Sequence, residues 1–171
     1  VTLDADTRLP IGAVKRLVGT MAHPLNRPRF DPANQRVVEG YAVLQPRVTP
    51  PLPGRAGSIF QRLSSGTAGI DPYAAAVSDV YQDLFGEGSY TGKGIYDIDA
   101  FEAALAGRVP ENAMLSHDLF EGVFARAGLV SDIEVFEAAP VSYLTAAARQ
   151  HRWARGDWQL LPWILRQRLS P

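Results

Sequence analysis

Two carboxylates, Asp4 and Asp6, stand two residues apart in "VTLDADT". The residues before them alternate and are β-branched, so the sequence predicts a short strand ending at Asp4. On a strand, residues i and i+2 project to the same face. Two carboxylates placed that way make a site for a hard divalent cation, Mg²⁺ or Mn²⁺, which completes its shell with phosphate oxygens and water. The same residues also read as a solvated turn following a strand, because D-x-D is short and common.

Three further stretches carry reactive residue types. "GEGSYTGKGIYD" spans 86–97. It is not a P-loop, because the earlier glycine is missing from its required spacing and Gly94 stands where Ser or Thr would hold Mg²⁺. Its glycines, Gly88 among them, suit either a floor over which backbone approaches a sugar or phosphate, or a flexible loop. "SHDLFEG" sets His117 beside Asp118 at a helix start. A carboxylate there is favoured by unpaired amides, and it equally suits a general base acting on a substrate hydroxyl. "RQHRWARGDWQ" gathers Arg149, Arg152 and Arg155 with Trp153 and Trp158. Arg149 and Arg152 share a helix face. Their guanidinium groups match a diphosphate bidentately, and an indole gives an apolar wall for a sugar ring. A solvated helix end is the other reading of this patch.

The elements that must position these residues alternate between strand and helix. Val14, Leu17, Val18 and Met21 fall at the spacing of one buried helix face. "HPLNRPRFDPANQ" reads as a proline-rich loop, "RVVEGYAVLQPRV" as one half-buried strand, and residues 49–57 as a surface loop. A helix is predicted from the Asp71-Pro72 start, with Tyr73, Val77, Val80, Tyr81 and Leu84 on its apolar face. Others are predicted over Asp99–Ala106, stopped by Gly107, and over Asp118–Ala127, stopped by Gly128. "SDIEVFEAAP" reads as a strand, and "VSYLTAAARQHRW" as a helix. Such alternation predicts an α/β domain with a mostly parallel sheet flanked by helices.

Composition narrows the class. The 171 residues are 46% hydrophobic and 20% charged, ordinary values for one globular domain over 1–171. A net charge of −1 argues against nucleic acid as a partner. With no cysteine, thiolate metal sites and disulfides are excluded. No apolar run reaches the ~18 residues of a membrane span.

The order of the blocks is more specific than any one of them. "LDADT", "VLQPRV", "GEGSYTGKG", "LSHDLFEG" and "RQHRWARGDWQ" together resemble processive glycosyltransferases of the GT-A fold, the cellulose and chitin synthases among them. "GEGSYTGKGIYDIDAFEAAL" with "MLSHDLFEG" resembles more closely the glucosyltransferase region of bacterial cyclic β-1,2-glucan synthases. The resemblance covers essentially the whole chain. It implies inverting transfer of glucose from UDP-glucose to a β-1,2-glucan acceptor. Asp4 and Asp6 would hold Mg²⁺ or Mn²⁺, and Asp118 would be the catalytic base. Arg149, Arg152, Trp153, Gln45, Gly88 and His117 would bind substrate. The base motif departs from the family's Glu-Asp, reading His117-Asp118.

In such enzymes the domain begins upstream of the D-x-D. The chain is therefore expected to be part of a GT-A domain that lacks its N-terminal nucleotide-binding half and is inactive by itself. The resemblance also implies a large parent protein whose remainder completes the site on the cytoplasmic face of the bacterial inner membrane. The tail "WQLLPWILRQRL" then reads as an interfacial helix or as a short capping helix. A non-catalytic module that binds nucleotide-sugar or a partner protein is the alternative.

Overall fold

The computed structural model describes residues 1–51, 57–64, 80–109, 111–115 and 118–165. In chain order its elements are β1 (Thr7–Arg8), α1 (Ala13–Met21), β2 (Arg29–Asp31), β3 (Arg36–Glu39), β4 (Val43–Thr49), α2 (Ile59–Ser64) and α3 (Val80–Phe85). There follow β5 (Ile95–Tyr96), α4 (Ile98–Leu105), α5 (Asp118–Ala125), β6 (Ala127–Glu137), α6 (Tyr143–Trp158) and α7 (Leu161–Ile164). A 3₁₀ turn at Pro24–Asn26 precedes β2.

The sheet order is β1-β6-β4-β5. β4 and β6 run parallel from Val43↔Ala127 to Thr49↔Phe136. β1 and β5 are antiparallel to their neighbours. The class is α/β as expected, but the sheet is mixed and not mostly parallel. Both antiparallel strands are two residues long, too short to show as periodic runs. The β4–β6 register slips between Pro46 and Arg47. Proline has no N–H to give to a ladder and is accommodated at such irregularities.

Period-2 alternation along β4 sends successive side chains to opposite faces. Val43 packs with Val37, Ala100, Ala104 and Ala125, from β3, α4 and α5. Leu44 packs with Ala13 and Leu17 of α1 and with Ile95, Val130 and Ile133. Helices thus cover both faces. Leu17 is fully buried, worth roughly 1.5–3 kcal/mol for a side chain of its size. The predicted apolar face of α1 holds only in part: Leu17 is buried and Met21 packs beside it, whereas Val14 and Val18 are exposed.

Several other expectations are corrected. The proline-rich stretch contains β2, which pairs with β3 as a hairpin. The single strand expected over 36–48 is broken at Gly40 into β3 and β4. Gly40 has φ +62, and a Cβ there would lie 2.0 Å from the Arg27 carbonyl oxygen. We expect Gly40→Ala to destabilise the chain by more than the roughly 1–3 kcal/mol of a strained φ alone. Urea denaturation measures this.

Helix α5 ends at Ala125, before the expected Gly128, which lies in β6. Arg126 makes the turn with φ +53. Its guanidinium is tied to the Val38 carbonyl and, at 3.0 Å, to that of Gly86. The helix over 98–105 appears where expected and that over 143–158 runs on past the expected end at Trp153; Asp97 and Ser142 cap them. Asp71, Pro72, Tyr73 and Val77 lie outside the described residues, as does most of the expected loop over 49–57. Val80, Tyr81 and Leu84 are exposed on α3.

Candidate functional site

One cavity of about 770 Å³ gathers residues from both ends of the chain: Asp4, Asp6, Lys93, Asp118, Glu137, Arg149, Arg152 and Trp153 line it, with Gly92 and Asp157. β1 pairs with the last residues of β6, Thr7 opposite Glu137. That pairing delivers the preceding Asp4 and Asp6 to the sheet's end. They lie in a turn, closed by the Thr7 amide donating to the Asp4 carbonyl at 3.0 Å. The predicted strand ending at Asp4 is only a single bridge, Thr2 to Gly94. The two carboxylates reach the cavity by a turn and not by strand alternation.

The glycine-rich segment is stitched across the strand ends at three points. Gly88 bridges Ala127, its amide 2.7 Å from that carbonyl. Thr91 donates its amide and hydroxyl to Gln45 Oε1 at 2.6 and 3.0 Å. Gly94 bridges Thr2. Gln45 is fully buried and does not line the cavity; it anchors the loop that does. Gly88 likewise serves the fold at this bridge, away from the cavity lining. His117 lies outside the described residues.

Asp118 is the first residue of α5 and half-buried. Its carboxylate lies against Gly92, which has φ +83. A Cβ on Gly92 would stand 2.8 Å from Asp118 Oδ2. Arg149, Arg152 and Trp153 come from one side of α6. Arg149 stacks over the Trp153 ring, 4.9 Å from its centroid, a favourable cation–π arrangement. Arg155 and Trp158 are exposed and stand outside the cavity lining. In the tail, Trp163 packs edge-on against Phe120 at 5.2 Å, so this part of α7 docks on the domain.

Among the cavity residues that escaped the sequence reading are Lys93 and Glu137. Lys93 Nζ lies 2.9 Å from Asp4 Oδ2 and 3.1 Å from Glu137 Oε2. Glu137 Oε1 accepts from Arg149 at 2.9 Å. Burial alone would lower the Lys93 ammonium; the hydrogen bond it donates to Asp4 and the charge of Glu137 outweigh it and hold the group above its ordinary value. Nearby Tyr90 is raised, first by burial and then by the charges of Glu121 and Asp118. A signal for Glu137 was present: in "SDIEVFE" it shares the strand face of Ile133 and Val135, and all three are buried.

The donor set suits a hard cation. Oxygens of Asp4, Asp6 and Glu137 lie within 4.8 Å of one another. Glu137 has both oxygens engaged by cations, while Asp4 and Asp6 are exposed to the cavity. Mg²⁺ and Mn²⁺ are commonly held by one or two carboxylates plus substrate phosphate. The residues fit such an ion.

The chain is 61% identical over 165 residues, 96% of its length, to the cyclic beta-(1,2)-glucan synthase NdvB of Rhizobium meliloti (strain 1021). It is a close relative of one segment of a cyclic β-1,2-glucan synthase. The chain spans about 6% of that synthase's length. No family model matches it. Among the described residues, no helix is long and apolar enough to cross a membrane.

Proposed function

We propose that this segment forms the diphosphate and acceptor side of an inverting glucosyltransferase site of the GT-A type. The donor is UDP-glucose, the acceptor a growing β-1,2-glucan. The uridine-binding elements come from the remainder of a longer protein at the cytoplasmic face of the inner membrane. One observation carries the reading. Asp4, Asp6, Asp118, Arg149, Arg152 and Trp153, singled out by residue type together with the family resemblance, line a single cavity.

In this reading Asp4 and Asp6 hold Mg²⁺ or Mn²⁺. When bound, that ion supplies Lewis-acid stabilisation of the leaving diphosphate. Arg149 and Arg152 add fixed positive charge to the same side of the cavity. Asp118 takes the proton from the acceptor 2-hydroxyl as that oxygen attacks the anomeric carbon. Trp153 borders the acceptor sugar. An α-linked donor attacked once, in line, gives a β linkage.

The test is transfer by the longer protein that carries this segment, supplied with labelled UDP-glucose and Mg²⁺. Release of UDP with growth of a β-linked glucan supports the reading. An α linkage would contradict the inverting mechanism, and no incorporation would contradict the glucosyltransferase assignment. Gly92→Ala offers a sharper check, because the new Cβ displaces the Asp118 carboxylate. We expect transfer to fall by about 10²-fold, the order of loss for a misplacement of about 1 Å at a reacting group.

A further inference from the structure

Glu137 has no role of its own in the proposed chemistry, yet it is the most buried carboxylate in the cavity, at 4% exposure. A carboxylate withdrawn from water needs charged partners. Glu137 has two, one for each oxygen, supplied by different elements: Lys93 at Oε2 and Arg149 at Oε1. Each partner has a second attachment. Lys93 also holds Asp4 at 2.9 Å, and Arg149 also stacks on Trp153. A continuous line, Asp4–Lys93–Glu137–Arg149–Trp153, therefore runs along the wall from the carboxylate pair to the guanidinium and indole.

We infer that Glu137 is a positioning residue, whose two oxygens set the separation between the Asp4 carboxylate, by way of Lys93, and the Arg149 guanidinium. The inference rests on the proposed reading of the cavity as a cation–diphosphate site. A single cation would satisfy the charge of Glu137. Two cations, on separate oxygens, fix a geometry. That geometry matters for a ligand whose metal sits at one end and whose phosphate oxygens reach toward the other. Glutamine at 137 keeps the shape but presents one oxygen and one NH₂. One of the two cations then faces a donor and is released.

The test is calorimetric titration with UDP in Mn²⁺ of the longer protein that carries this segment, for wild type, Glu137→Gln and Glu137→Asp, with melting curves confirming that each is folded at the working temperature. We expect Glu137→Gln to bind UDP about tenfold or more weakly. Glu137→Asp keeps the charge but is one methylene shorter, and should lose less. A merely structural role would lower the melting temperature and leave UDP affinity unchanged. Wild-type affinity in both variants would overturn the inference and leave the cavity assignment standing. Failure of that wild-type protein to bind UDP would overturn that assignment, and the inference with it. Should Glu137→Gln unfold, Glu137→Asp decides: weaker binding supports the positioning role, unchanged binding overturns it.

Discussion

Asp118→Asn in the longer protein that carries this segment should reduce glucose transfer by about 10²–10⁴-fold, the usual contribution of a general base. The expectation follows from where the carboxylate sits. It lines the cavity shared with Asp4, Asp6 and Arg152, and it is pressed against the Gly92 backbone on one side. Asparagine is nearly isosteric and keeps that packing, but it cannot accept a proton from an attacking hydroxyl. Donor binding is therefore expected to stay within about twofold of wild type, because in this reading Asp118 serves the acceptor. Polymer synthesis from labelled UDP-glucose, beside UDP titration, separates the two effects. Retained synthesis would remove Asp118 from the base role.

The second large effect is expected from replacing Asp4 and Asp6 together by asparagine. UDP affinity in Mn²⁺ should fall by about 10²-fold or more, since loss even of outer-shell partners costs metal sites 10–100-fold. The dependence of UDP binding on Mn²⁺ should disappear as well. The fold should tolerate the change, because both residues are exposed and Lys93 keeps its pairing with Glu137. Calorimetry with and without Mn²⁺ reads both quantities. Metal-dependent binding that survived in the double variant would place the cation elsewhere.

The sequence was most informative where one residue type has one strong local consequence. The helices over 98–105 and from 143 were expected from their sequence, and Asp97 and Ser142, whose side-chain oxygens accept from amides three residues on, begin them. Reactive residues were legible for a related reason: paired carboxylates, guanidinium groups at i and i+3, and an indole announce chemistry before any fold is known. What failed was everything decided by distant partners. Val14 and Val18 match a buried helical period, yet they fall on the uncovered side of α1. Arg126 turns the chain where a glycine was expected, because two carbonyls far away in sequence accept from its guanidinium.

Lys93 and Glu137 show the same limit inside the site. Lys93 was weighed only as a P-loop lysine, a motif that does not fit. No spacing rule joins it to a carboxylate across the sheet. Glu137 left a trace in strand periodicity, but its partners became visible only once β1, the glycine-rich segment and α6 converged on the end of β6. Gln45 was read as a weaker candidate for a substrate contact; its Oε1 accepts from Thr91 and holds the loop. A buried amide and a substrate-facing one look alike in a sequence.

The most direct measurement is anomalous diffraction from crystals of the chain grown with UDP and Mn²⁺. The account predicts a manganese peak beside Asp4 and Asp6, with the diphosphate in the same cavity, on the side of Arg149 and Arg152. Manganese or nucleotide bound away from those residues would contradict it.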